Sequence, residues 1–139
     1  MAEEKRLIML PGPTNVPDRV MLAMIKPIIN HRGPEFAALH ERITDNLKQV
    51  FETKHDVFVL TSSSTGAVEC AIGNMVNPGD KVIIPVFGVF SERVREKVVR
   101  HGGKLVEIAT EWGDAPAAAQ IERVVKKEKP RLILIEGDT

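Results

Sequence analysis

Val57-Phe58-Val59-Leu60-Thr61-Ser62-Ser63-Ser64-Thr65-Gly66-Ala67-Val68-Glu69 runs from an apolar, strand-like segment through four consecutive hydroxyl residues into an apolar helical segment. A strand that turns directly into a helix is the building unit of a parallel α/β sheet. The N–H groups in a helix's first turn have no intrahelical partner and carry the positive end of the macrodipole, so this turn suits an anion such as phosphate. The hydroxyls of Ser62 to Thr65 can add donors. The same residue types also cap helices routinely, and the local sequence leaves both readings open.

Downstream of this turn the pattern repeats. Strand-like runs fall at 56–61, 81–86, 104–109 and 131–136, and helical periodicity falls at 66–76, 91–101 and 117–128. Asn77-Pro78-Gly79-Asp80 and Gly102-Gly103 punctuate the helix ends. Short strands alternating with helices predict parallel crossovers, hence a three-layer α/β/α arrangement around a mostly parallel sheet with both faces covered. In such sheets ligands bind outside the carboxyl ends of the strands. Those ends carry Thr61 to Ser64, Phe87-Gly88-Val89-Phe90 and Gly137-Asp138-Thr139. The last strand reaches the final residues where a further loop and helix are expected, so the sheet reads as incomplete.

Upstream, Pro11 to Pro17 holds three prolines, Gly12 and Asn15 and reads as a shaped loop. Pro17 can open a helix to about residue 26, and a second starts near Pro34. Phe36, Leu39, Ile43, Leu47, Val50 and Phe51 form a stripe at helical spacing, expected in a core. Between these helices lies the polar turn Asn30-His31-Arg32-Gly33.

Composition narrows the function classes. With 139 residues and 43% apolar content the chain suffices for a domain with a core. Lysine plus arginine equal aspartate plus glutamate at 19 each, which gives no excess field for nucleic acid or an anionic membrane. No apolar run spans a membrane, and the acidic start Met-Ala-Glu-Glu is not a secretory signal, so a cytoplasmic protein is expected. The single Cys70, inside an apolar helical segment, is expected to be buried and fits a reducing compartment. Trp112 reads as a loop anchor, and the 126–129 charge run as a solvated helix end.

Rival sites find little support. A Walker loop needs a lysine that the 62–66 turn lacks, and the dinucleotide fingerprint needs three glycines where only Gly66 stands. His31, His40, His55 and His101 show no metal-ligand spacing. The Gly-x-Ser-x-Gly elbow of hydrolases is missing.

Several stretches together resemble the class V aminotransferases, in the branch of alanine:glyoxylate and serine:pyruvate aminotransferases. They are residues 10–17 (Leu-Pro-Gly-Pro-Thr-Asn-Val-Pro), 30–36 (Asn-His-Arg-Gly-Pro-Glu-Phe), 61–69 and 77–82, in the family's order and spacing. The resemblance implies a fold type I large domain, pyridoxal 5′-phosphate as cofactor, small amino acid and 2-oxo acid substrates, and a homodimer when full length. Residues 1–33 would be an N-terminal arm bordering the active site, and residues 34–139 the first part of the cofactor-binding domain. Ser63, Ser64 and Thr65 would hold the cofactor phosphate, Ser64 replacing a usual glycine. Phe90 would stack on the pyridine ring, Thr139 would lie near the phenolic oxygen, and Gly12 would border the substrate. Asp138 stands where the family usually has glutamate. The family's catalytic lysine and ring-nitrogen aspartate fall beyond residue 139, so no catalytic residue is expected within this chain, which alone would be inactive. The alternative is a non-catalytic module of the same fold that binds a phosphate ligand or a partner.

Overall fold

The computed structural model describes residues 6–137 and divides into two compact units, Met1–Thr61 and Ser62–Thr139.

The first unit contains α1 (Asp18–Met24) and α2 (Pro34–Val50). Pro34 opens α2 at a position whose N–H needs no intrahelical partner. The loop before α1 is tied by Asn15, whose carboxamide accepts from the Ile8 N–H (2.7 Å) and donates to the Arg6 carbonyl (2.9 Å). Two expectations need correction in this unit. The stripe on α2 is helical but is not a core: Val50 and Phe51 are 75% and 66% exposed. Periodicity sets which residues share a face, whereas burial needs a second apolar surface against that face. Residues 56–61 likewise form no strand, and Phe58 is 80% exposed. An apolar run becomes a strand only when its backbone finds a ladder partner, and among the described residues this run has none. Instead residues 56–60 share a cavity of about 330 Å³ with His40, Thr44 and Lys48, one turn apart along α2.

The second unit comprises α3 (Ser64–Met75), β1 (Lys81–Val86), α4 (Val89–Arg100), β2 (Lys104–Ala109), α5 (Ala118–Glu128) and β3 (Leu132–Ile133). Its strands form a parallel sheet in the order β2-β1-β3, with Lys81 opposite Lys104 and Val82 opposite Leu132. Every residue of β1 after Lys81 is buried. Val82, Ile84 and Val86 pack with Ile72 and Val76 at the end of α3 and with Val94 and Val98 of α4. Ile83 points to the opposite face, where α5 lies against β1, and is also fully buried. The observed α/β class with a parallel sheet is the one expected.

β3 is much shorter than the run at 131–136. The Leu134 N–H donates to the Ile83 carbonyl (3.0 Å), and the next rung would need an N–H at position 85, where Pro85 has none. The ladder therefore ends there. Cys70, expected to be buried, is exposed on α3.

The Asn77-Pro78-Gly79-Asp80 turn connects α3 to β1 and anchors both neighbouring strands. Gly79 sits at φ 90°, where a side chain would be strained, and its N–H donates to the Gly102 carbonyl (2.8 Å). The Lys104 N–H donates to the Asp80 carbonyl (2.7 Å). The Asp80 carboxylate accepts from the Asn77 N–H (2.9 Å) and carboxamide (3.2 Å), and Arg131 lies 3.8 Å away. The Asn77 N–H above all, then its carboxamide and Arg131, hold the Asp80 carboxyl below its ordinary value. Lys81, bonded to the Glu128 carboxylate at 3.1 Å, lowers that group in the same direction. A carboxyl depressed in the folded state contributes stability above its unfolded pKa, about 4, and loses it as pH falls through the folded value. Urea midpoints measured against pH should therefore drop on acidification below about 4, and Asp80→Asn should flatten that drop while lowering the neutral-pH midpoint.

Candidate functional site

Because α3 feeds β1 through a tight turn it runs against the strand, and α4 departs from the strand's far end. The N-termini of both helices therefore sit at the carboxyl edge of β1, which brings Ser63 to Thr65 and Phe90 to one side of the sheet.

At α3, Ser63 is the N-cap in extended conformation, and its carbonyl accepts from Gly66 (3.0 Å) and Ala67 (3.2 Å). No side chain caps the helix. The Ser62 hydroxyl donates instead to the Ser63 carbonyl (3.0 Å). The N–H groups of Ser64 and Thr65 are left without a partner among the described residues, and the first turn holds no acidic residue to offset the dipole. Gly66 shapes the same turn: a Cβ there would collide with the Ser62 hydroxyl. Between the two readings of this turn, side-chain capping is not what the hydroxyls do. The first turn of α3 is left open, with the Ser64 and Thr65 N–H groups unpaired among the described residues.

At α4 the helix begins at Val89, two residues before the expected start, and this gives Ser91 a role that sequence reasoning missed. As the third helical residue, Ser91 reaches back to the turn. Its fully buried hydroxyl accepts from the Phe87 N–H (3.0 Å) and the Gly88 N–H (3.1 Å) and donates to the Gly88 carbonyl (2.9 Å). The signal was a serine three residues after Gly88, legible only with the helix start correctly placed. Ser91 thus fixes the turn that presents Phe90, which is half-buried with the Arg93 guanidinium 5.4 Å from its ring centroid.

Phe87 to Phe90 and Trp112 to Ala115 line a cleft of about 770 Å³. Trp112 is 63% exposed, so it forms a wall of this cleft and does not anchor its loop in a core. Behind the site, His101 Nε2 lies 2.7 Å from the Glu69 carboxylate, joining the end of α4 to α3.

Gly12 belongs to the first unit, in the loop before α1. Asn30, in the same unit, closes the 30–33 turn, accepting the Gly33 N–H on its carbonyl (2.9 Å) and the Arg32 N–H on its side chain (3.0 Å). Thr139 and Asp138 lie outside the described residues.

The described residues thus form a parallel α/β unit in which α3 and α4 both start at the carboxyl edge of β1. Comparison with known proteins is more specific. No family model matches the chain. It is 39% identical over 123 residues to an uncharacterized aminotransferase of Methanocaldococcus jannaschii, covering 88% of this chain and 32% of that protein. It is 36% identical to L-aspartate–glyoxylate aminotransferase of Paracoccus denitrificans, covering 88% and 31%. The solved structure of alanine–glyoxylate aminotransferase from Nostoc sp. superposes with a TM-score of 0.85 at 29% identity, covering 97% of this chain and 36% of that one. The homologues of this chain are class V-type aminotransferases of the alanine/serine–glyoxylate kind, and it spans about a third of their length.

Replacing Ser91 with alanine would leave the Phe87 and Gly88 N–H groups without their acceptor. Ser91→Ala should cost about 1–3 kcal/mol in urea unfolding, the penalty for unsatisfied buried donors, with no change in overall helix content by circular dichroism.

Proposed function

We propose that this chain is the N-terminal part of a pyridoxal 5′-phosphate-dependent aminotransferase that moves an amino group from a small amino acid, such as alanine or serine, to glyoxylate or pyruvate. The observation that carries the reading is the open start of α3: two N–H groups unpaired among the described residues, four hydroxyl residues in sequence and no acid in the first turn. A dianionic phosphate monoester gains charge-assisted hydrogen bonds and the helix field together there.

The N–H groups of Ser64 and Thr65, with the hydroxyls of Ser63, Ser64 and Thr65, would hold the phosphate. Phe90, positioned through Ser91, would set the plane of the ring. Thr139 would approach the ring's oxygen, and the Gly12 loop would border the substrate. Bound pyridoxal phosphate supplies an electron sink for chemistry at the amino acid's α-carbon. The residues of this chain bind and orient it. No helix among the described residues is long and apolar enough to cross a membrane; the full-length protein would be a cytoplasmic enzyme and would work as a homodimer.

The test compares pyridoxal phosphate with pyridoxal, which lacks the phosphate, by equilibrium dialysis. The phosphate ester should bind at least about tenfold more tightly, equivalent to about 1.4 kcal/mol. Ser64→Asp separates binding from folding, because an acid in the first turn favours the helix yet repels a phosphate. It should leave the melting temperature equal or higher and abolish the preference. Equal affinities for the two ligands in the unmutated chain would refute the reading.

A further inference from the structure

Glu69 and Gly73 lie one above the other on one face of α3, and His101, the residue after α4, reaches both. His101 Nε2 is 2.7 Å from a Glu69 carboxylate oxygen. A carboxylate only accepts, so this bond assigns the ring proton to Nε2. A Cβ on Gly73 would stand 3.3 Å from the ring's Cε1 and 3.7 Å from Nε2. Carbon atoms pack at about 3.5–4.0 Å, so a side chain at position 73 would press on the ring. Glycine weakens a helix relative to alanine, and Gly73 is helical, outside the left-handed region that calls for glycine. What its missing side chain provides is a seat for His101.

Elsewhere the two helices meet through apolar side chains, with Ile72 and Val76 of α3 in one cluster with Val94 and Val98 of α4. Apolar contact is not directional, so it sets how near two helices lie more firmly than how one is turned or shifted along the other. A hydrogen bond between the helices supplies that direction. The setting matters at the other end of both helices, where α3 begins with Ser63 to Thr65 and α4 carries Phe90 in its first turn. We propose that Glu69, Gly73 and His101 form a clamp that fixes α3 against α4 and thereby the spacing between the first turn of α3 and Phe90. Glu69 and His101 are then positioning residues for a ligand held at both places. The clamp acts in the free chain, and its effect on a ligand rests on the pyridoxal phosphate reading.

Residual dipolar couplings of the ¹⁵N-labelled chain without ligand read the orientation of α3 relative to α4. His101→Ala should change the α3 couplings relative to those of α4. His101→Gln, whose amide can place an N–H donor where Nε2 stood, should restore them. Gly73→Ala, which helix propensity alone makes stabilising, should act as His101→Ala does, and it decides the matter if His101→Ala does not fold. In equilibrium dialysis, His101→Ala should weaken pyridoxal phosphate about tenfold, the order of one lost hydrogen bond. It should leave inorganic phosphate, which needs α3 alone, unchanged, a split that a general loss of stability would not produce. Couplings that match the unmutated chain in both His101→Ala and Gly73→Ala would overturn the clamp, and equal weakening of the two ligands would overturn the positioning role. If the couplings respond and the unmutated chain does not prefer pyridoxal phosphate to pyridoxal, the cofactor reading fails and the clamp stands. If that preference is present and the couplings do not respond, the clamp fails and the cofactor reading stands.

Discussion

The burial of β1 on both faces is the constraint on which the second unit depends. A strand reading Lys-Val-Ile-Ile-Pro-Val leaves no side for water, so it requires α3 and α4 against Val82, Ile84 and Val86 and α5 against the other face. The helix directions follow. With α3 leading in and α4 leading out, both helices start at the strand's carboxyl edge, and the unpaired N–H groups of Ser64 and Thr65 and the Phe90 ring lie there. The first turn of α3 can therefore stay open, with two unpaired N–H groups and no acid, because the unit's apolar cluster lies elsewhere, against β1.

Much of this was legible in the residues. The runs at 81–86 and 104–109 are the observed β1 and β2 to the residue, because both combine β-branched content with sharp turn signals at Gly79 and Gly102-Gly103. The helix over Ala118–Glu128 begins one residue later than expected. The misses share a cause: they depend on what lies opposite in space. The 56–61 run has apolar strand composition but no ladder partner among the described residues, and the α2 stripe has correct spacing but no covering surface. The shortening of β3 is set by Pro85, nearly fifty positions earlier in sequence, whose missing N–H ends the shared ladder.

The residues of the candidate site were legible in the sequence, and their hydrogen bonds were not. The hydroxyl-rich turn left capping and anion binding both open, and what its hydroxyls bond depends on hydrogen-bond directions that a sequence does not carry. The Ser62 hydroxyl bonds the Ser63 carbonyl, and no side chain caps the helix. Ser91 was hidden by a two-residue error in the start of α4, since a serine at the cap and a serine at the third helical position do opposite work. Trp112 was missed because its neighbours Gly113 and Asp114 read as an ordinary turn, whereas in space that turn faces Phe90.

In the proposed function the first turn of α3 receives a phosphate through its backbone. Amide chemical shifts in a ¹⁵N-labelled chain titrated with pyridoxal phosphate test it most directly. The account predicts saturable shifts at the amides of Ser64, Thr65 and Gly66, reproduced at higher concentration by inorganic phosphate and lacking with pyridoxal. Binding of pyridoxal phosphate that leaves those three amides unmoved would contradict it.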